Sequence, residues 1–133
     1  MDTSEKVLLV GGVVSLTYGF LLGLPLTMAR MKAPTASRHL VTAHLAAIIQ
    51  GATLVALSEM IAHSELPTAI ETTAAVLLVG GAGLFVAGAV ANWRQAVEDH
   101  FAERSLGWKL LASSGPANVA GIVIILIGTL RGL

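Results

Sequence analysis

The sequence predicts an all-α protein, a bundle of four transmembrane helices that forms a single domain over residues 1–133. Two features of composition support this: 55% of the residues are hydrophobic, and only 12% are charged, about half the charge of an average soluble domain. The apolar residues also fall in four long blocks. A helix needs about 20 such residues to cross a hydrocarbon core of about 30 Å, and only helices or closed barrels satisfy their own backbone there.

The first span is predicted at residues 7–29. It is too long for the apolar core of a signal peptide, and Asp2 and Glu5 offset Lys6 in the segment before it, so we expect a membrane helix. The other three spans are predicted at 39–62, 68–93 and 112–130. The charged loop between the third and fourth spans is expected to form a short helix.

The distribution of positive charge predicts the orientation. Six of the eight Lys and Arg residues lie in the first and third loops, namely Arg30, Lys32, Arg38, Arg94, Arg104 and Lys109. By the positive-inside rule, loops one and three are cytoplasmic, and both termini lie on the outer side of the membrane. We expect this membrane to be the cell membrane, or the inner membrane in a cell that has two. Loop two carries no positive residue, and its glutamates are expected at the rim of the bundle.

A weak internal repeat links the two halves of the chain. The segment Val7–Gly12 recurs as Val76–Gly81, and at nearly the same offset Gly51 matches Gly121. We interpret this as a two-helix tandem repeat with a pseudo-twofold axis along the membrane normal; chance similarity among apolar segments is the alternative. The repeat places Ser113 or Ser114 opposite His44.

Small residues recur every fourth position in two of the spans. The first span has Gly11, Ser15, Gly19 and Gly23, and the third has Gly83, Ala87 and Ala91. Ridges of this kind let membrane helices approach closely, either within a subunit or between subunits.

His44 is the leading candidate for a functional residue. An ionisable side chain inside a span is costly and often functional, and a neutral imidazole is a common ligand of metals and haem. The alternative is an interhelical hydrogen bond. Gln50 follows six residues later, about 120° around the helix, so the two side chains cannot face one small ligand. Gln50 is either a substrate contact or an interhelical hydrogen-bonding group.

The remaining polar residues are expected to have simpler roles. Asn92 beside Trp93 is an interfacial anchor or a substrate contact, and Asn118 and Tyr18 are packing or hydrogen-bonded residues. The other histidines are expected to be solvated; they are His39, His63 and His100. No acid is expected to be buried, which weakens a transporter or pump interpretation.

Composition excludes several classes of protein. The net charge of zero argues against nucleic acid as a partner. The absence of cysteine excludes disulfides, iron–sulfur clusters and thiolate chemistry.

Two segments resemble the family of small four-helix membrane isomerases that includes hydroxylaminobenzene mutase and styrene oxide isomerase. They are Arg38–Leu57 and Ala91–Trp93. The family pattern is a histidine, an amide residue six positions later and then a glycine, which here are His44, Gln50 and Gly51. The chain size, the four spans and the Ala-Asn-Trp ending look closer to the mutase branch.

The resemblance implies a homotrimer with haem b between subunits. His44 would be the axial ligand of the haem iron, which acts as a Lewis acid on the oxygen of a small hydrophobic aromatic substrate. Gln50 would line the substrate pocket and, with Asn92, orient the substrate. The expected reaction converts an arylhydroxylamine of the hydroxylaminobenzene type to an aminophenol.

Two alternatives to this function remain. The chain has Gln50 where the family usually has asparagine, and Asn92 stands near the place of the catalytic tyrosine of the epoxide isomerases. Isomerisation of an epoxide of the styrene oxide type is therefore the second hypothesis. The third is a non-enzymatic haem-binding or scaffold protein of the membrane.

Overall fold

The computed structural model describes all 133 residues and is entirely helical. It has four long helices and one short one: α1 Thr3–Lys32, α2 Arg38–Ile61, α3 Thr68–Arg94, α4 His100–Glu103 and α5 Leu106–Gly132. The four long helices are each long and apolar enough to cross a membrane. The predicted all-α bundle is therefore confirmed, and the four helices are those of a multi-pass membrane protein.

The last helix is longer than the hydropathy pattern predicts. It begins at Leu106, six residues before the predicted start at 112, because the Ser105 hydroxyl accepts a hydrogen bond from the Trp108 amide at 3.1 Å and caps the first turn. The charged part of loop three contracts accordingly, and the short helix expected there is the single turn α4. Its cap is Asp99, whose carboxylate accepts from the amides of Phe101 and Ala102.

The long helices associate as two antiparallel pairs, α1 with α2 and α3 with α5. Glycines let the backbones of each pair approach. A Cβ on Gly12 would lie 2.8 Å from the Gly51 carbonyl oxygen, and one on Gly121 would lie 2.9 Å from the Ala74 carbonyl oxygen. Any larger side chain at these glycines would push the helices apart.

The two pairs differ in register. In the first pair, Gly12 packs against Val55. The sequence repeat matches these two residues to Gly81 and Ile125, so Gly81 is expected to pack against Ile125. It packs against Asn118 instead. Helix α5 is therefore displaced along α3 by seven residues, about two turns, relative to the position of α2 along α1. The residue that occupies the position of His44 in the packing of the second pair is therefore Gly107, and not Ser113 or Ser114 as the sequence repeat predicts.

The predicted pseudo-twofold axis is wrong. Such an axis exchanges α1 with α3 and α2 with α5, so the contact between α2 and α3 requires an equal contact between α5 and α1. Helix α3 does pack against both α1 and α2, but α5 packs mainly on α3 and does not pack against α1. The two pairs are joined through α2 and α3.

Two clusters of buried apolar residues lie along this junction. One lies towards loop two and includes Leu8, Leu54, Leu57, Ile61, Leu78 and Ile125. The other lies towards loops one and three and includes Leu22, Leu40, Ala43, Ala47, Val86 and Ala89. His44 lies at the level of the second cluster, and Gln50 lies between the two.

Candidate functional site

His44 lies on the face of α2 that packs against α1. Its Nδ1 is 2.7 Å from the backbone carbonyl oxygen of Gly19. A carbonyl can only accept, so Nδ1 carries the proton and donates, and in the neutral ring Nε2 presents its lone pair. Nε2 makes no hydrogen bond within the chain and stays accessible at the surface of the half-buried ring. The expected interhelical hydrogen bond therefore exists and leaves one nitrogen free.

The small-residue ridge of α1 creates the space for this ring. A Cβ on Gly23 would lie 3.3 Å from His44 Cε1, and Gly19 packs tightly on Ile48 and Ala47. The Ser15 hydroxyl also donates to the Ala47 carbonyl oxygen at 2.8 Å. This part of the ridge therefore packs within the subunit and sets the distance between the two helices.

The ridge predicted on α3 is not used in that way. Nothing lies within 4 Å of a Cβ built on Gly83. Gly83 and Ala87 instead line an apolar groove of about 760 Å³ between α1 and α3, where Tyr18 and Lys6 also lie. The contacts of α3 with α5 are made through Gly81 and Gly88 on another face.

Gln50 lies on the other side of α2, as the 120° separation predicts. It lines a cavity of about 250 Å³ between α2, α3 and α5, and its carboxamide oxygen is buried without a hydrogen-bond partner. The cavity walls are mostly apolar, with Leu54, Leu57, Leu78, Ala82, Val119 and Ile122. Thr53, Val119 and Ile122 are exposed on the outer surface, so the cavity opens sideways to the region of the lipid.

Asn118 joins Gln50 in this cavity, although its sequence predicts a packing or hydrogen-bonded role. The side chain packs against Gly81, where the absence of a Cβ leaves room for the amide. The carboxamide forms no hydrogen bond within the chain and, unlike the Gln50 oxygen, its polar atoms stay accessible. The sequence marks Asn118 only as a polar residue within a span. It lies seven residues before Ile125, the residue that the sequence repeat matches to Val55.

Asn92 does not share the cavity with Gln50. It is fully buried between α3 and α5, where its Oδ1 accepts from the Ser105 hydroxyl at 2.6 Å and its side chain packs against Gly107. Its Nδ2 is buried without a partner. Full burial contradicts the interfacial-anchor interpretation, and the position separates Asn92 from both Gln50 and His44.

The start of α2 is attached to loop three, which contradicts the expected solvation of His39. That ring is 6% exposed, and its Nε2 donates to the Val97 carbonyl oxygen at 2.8 Å. The Arg38 guanidinium donates to the neighbouring Glu98 carbonyl, and the His100 ring lies edge-on to His39 with centroids 5.5 Å apart. These contacts fix loop three against the helix that carries His44.

One glutamate is buried, contrary to expectation. Glu71, in the first turn of α3, is 5% exposed, whereas Glu59 and Glu65 are exposed as predicted. The ring nitrogens of His39 and His44 bond the carbonyl oxygens of Val97 and Gly19, and neither is bonded to Glu71.

Comparison with known proteins gives no match: no family model, no curated protein and no solved structure corresponds to this chain. The structure also contains no group of three or more His, Cys, Asp or Glu side chains arranged to hold a metal ion.

Proposed function

We propose that the chain is a haem-dependent membrane isomerase that converts a small arylhydroxylamine to an aminophenol. The observation that carries this proposal is the state of His44. Its Nδ1 proton is held by the Gly19 carbonyl at 2.7 Å, and its Nε2 lone pair is free and accessible. Histidines that ligate metals commonly donate the other ring N–H to a backbone carbonyl, which fixes the tautomer and the ring orientation.

His44 would hold haem b through its Nε2. A bound haem iron would supply a Lewis acid for the oxygen of the substrate. His44 is the only histidine that lies well inside a span, because His39, His63 and His100 lie at helix ends or in loops. A haem held by one protein ligand would favour catalysis over electron transfer, which commonly uses two protein ligands.

The position of His44 supports an oligomer. His44 lines neither the groove between α1 and α3 nor the Gln50 cavity, and its ring lies half-buried at the surface of the bundle. A cofactor on the accessible Nε2 would lie between copies of the chain, as in the homotrimer that the resemblance implies, so that the iron held by His44 of one copy would serve the Gln50 cavity of the next. The exposed face of α2 next to His44 is apolar and suits such a contact, since Leu45 and Ile49 are 49% and 63% exposed.

The Gln50 cavity supports a small aromatic substrate. A cavity of about 150 Å³ is enough for benzene, so about 250 Å³ accommodates a ring with one polar substituent. Its sideways opening admits such a molecule from the hydrocarbon of the bilayer. In the isomerisation the N–O bond breaks, a ring C–O bond forms and the ring proton moves to nitrogen, so no external oxidant or reductant is needed.

The arrangement favours the hydroxylamine over the epoxide. Tyr18 is the only tyrosine, and it lines the groove between α1 and α3 rather than the Gln50 cavity. The epoxide isomerases use a tyrosine in the substrate pocket, and Asn92, which stands near that place in the sequence, is enclosed between α3 and α5.

The visible absorption spectrum of the purified protein in detergent tests this proposal. We expect a Soret band in the wild type that is lost in His44→Ala and kept in His63→Ala, a histidine in exposed loop two. Hydroxylaminobenzene should be converted to aminophenol by the wild type and by His63→Ala only. Conversion by a haem-free His44→Ala variant would overturn the mechanism.

We also propose that loops one and three face the cytoplasm. The contacts of Arg38 and His39 with loop three place these two loops at one end of the bundle, with six of the eight positive residues. A single cysteine at Thr35, in exposed loop one, should react with an impermeant maleimide in inverted vesicles and not in intact cells. The opposite labelling pattern contradicts this orientation.

A further inference from the structure

The cavity between α2, α3 and α5 contains two carboxamides that nothing in the chain satisfies. The Gln50 oxygen is buried without a partner, and the Asn118 amide makes no hydrogen bond within the chain. The third polar residue, Thr53, donates its hydroxyl proton to the Ile49 carbonyl at 2.8 Å and so offers only an acceptor. A buried polar atom without a partner, such as the Gln50 oxygen, costs about 1–3 kcal/mol in proteins, whereas the Asn118 amide stays accessible from the cavity.

The Asn118 amide is held in the cavity by the shape of α3. Gly81 lies directly against it, and a Cβ at that position would overlap the amide. A leucine or valine at position 118 would satisfy the apolar surroundings and require no partner. The structure thus places a hydrogen-bonding group where packing alone favours an apolar one.

We propose that Asn118 is a specificity-determining residue that binds the polar substituent of the aromatic ligand. This inference rests on the proposed function for the reaction, but the binding can be measured alone. The apolar walls accept the ring, and the carboxamides on α2 and α5 supply both donors and acceptors for an amino or hydroxylamino group. Sites built to hydrogen-bond a substituent reject analogues that lack it, because their own polar groups are then left unpaired.

Binding of two fluorinated probes tests the proposal. The first, 4-fluoroaniline, carries an amino group, and the second, fluorobenzene, carries no polar substituent. Fluorine NMR of the detergent-purified full chain measures the affinity of each probe, with protein-free micelles as the reference for partition. We expect the wild type to prefer 4-fluoroaniline by about tenfold, the equivalent of about 1.4 kcal/mol.

Two substitutions of Asn118 separate specificity from folding. In Asn118→Ala and Asn118→Leu the preference should fall to about twofold or less while fluorobenzene still binds. Ser113→Ala is the matched control, since this exposed serine of the same helix bonds the Lys109 carbonyl and lies outside the cavity. If both Asn118 variants keep the wild-type preference, the proposal is overturned. Because alanine and leucine differ in size, one variant still gives a result if the other does not fold.

A third variant tests the location. Val119 lines the cavity and is 61% exposed, so Val119→Phe should obstruct the opening from the lipid side with little strain and weaken both probes at least fivefold. Unchanged binding there places the probe elsewhere and overturns the proposal. Failure of the proposed reaction gives a different result. If the protein binds no haem and converts no hydroxylaminobenzene but still distinguishes the two probes through Asn118, the proposed function is wrong and the binding site stands.

Discussion

The two helix pairs each place one polar side chain against a glycine of the partner helix, but with the roles of the helices exchanged. In the first pair His44 on α2 packs against Gly23 on α1, and in the second Asn92 on α3 packs against Gly107 on α5. After the seven-residue shift in register, these are equivalent contacts at the same end of the bundle.

The surroundings of the two side chains differ. His44 is half buried with one nitrogen bonded to a carbonyl and the other free, whereas Asn92 is fully buried and bonded to Ser105. The same kind of glycine contact thus serves two purposes. The enclosed amide joins two helices and a loop, whereas the half-buried imidazole joins two helices and leaves its Nε2 without a partner in the chain.

The largest effect is expected at Gly107. A Cβ there would overlap both the Asn92 side chain and the Gly88 carbonyl, and the backbone of α3 cannot move away easily. We expect Gly107→Ala to lower the free energy of unfolding by about 3 kcal/mol, at the upper end of overpacking effects. Thermal unfolding followed by circular dichroism in detergent measures this loss. Gly115→Ala is the control, because nothing lies near its Cβ, and an equal loss there would contradict the assigned contact.

Asn92→Ala should destabilise the second pair by about 2 kcal/mol. The change leaves the Ser105 hydroxyl without its acceptor and a small void between α3 and α5. Comparison of unfolding temperature with turnover distinguishes the two roles considered for Asn92. A lower unfolding temperature with an unchanged KM indicates the structural role; unchanged stability with a loss of kcat indicates that Asn92 acts on the substrate.

Gly23→Ala should spare the fold and affect His44. Its Cβ would lie 3.3 Å from Cε1 and 3.7 Å from Nδ1 of the ring, so the imidazole must shift by a few tenths of an ångström, which disturbs the 2.7 Å hydrogen bond of Nδ1 to the Gly19 carbonyl. If His44 holds haem, we expect about tenfold faster haem loss, or about 1.4 kcal/mol. Transfer of haem to an apoprotein acceptor gives the rate. An unchanged rate would show that the hydrogen bond to Gly19 does not support the ligand.

The smallest effect distinguishes the starts of the two pairs. Helix α1 has a capping box in which the Asp2 carboxylate accepts from the Glu5 amide at 2.9 Å, whereas α3 follows Pro67 and has no side-chain cap. The hydrogen bonds from the Glu5 amide and the Ser4 hydroxyl lower the pKa of Asp2. Asp2→Ala should therefore cost about 0.5 kcal/mol at neutral pH.

The lowered pKa gives this cap a defined pH dependence. A carboxyl group with a lower pKa in the folded state contributes its full stabilisation above the unfolded pKa, near 4, and loses it as the pH falls through the folded pKa. The difference in unfolding temperature between wild type and Asp2→Ala should shrink below about pH 4. The neutral cap in Asp2→Asn should show no such change, and a parallel change would contradict the role of the carboxylate.

Hydropathy and helical geometry were sufficient to predict much of the molecule. The four spans follow from block length, and the separation of His44 from Gln50 follows from 100° per residue. The start of α5 could not be predicted in this way, since the Ser105 cap outweighs the polarity of the first turn. The burial of His39 depends on the carbonyl of Val97, 58 positions away along the chain.

The site residues show the same limit. A polar residue in a span is visible in the sequence, but whether it is enclosed, as Asn92 is, or lines a cavity, as Asn118 does, depends on the residue opposite. That residue is set by the register between helices. Glycine-rich faces repeat every few residues and fit more than one register, so the pattern alone did not place Gly81 against Asn118.

The seven-residue displacement of α5 has a consequence for how duplicated helix pairs diverge. Seven residues are nearly two full turns, so the face of the moving helix changes direction by only about 20°. One helix of a duplicated pair can shift by seven residues along its partner and still present its small residues to that partner. Each of its polar residues then faces a different residue. Duplication followed by such a slide would let one half of a protein acquire a new polar constellation without first losing a stable interface.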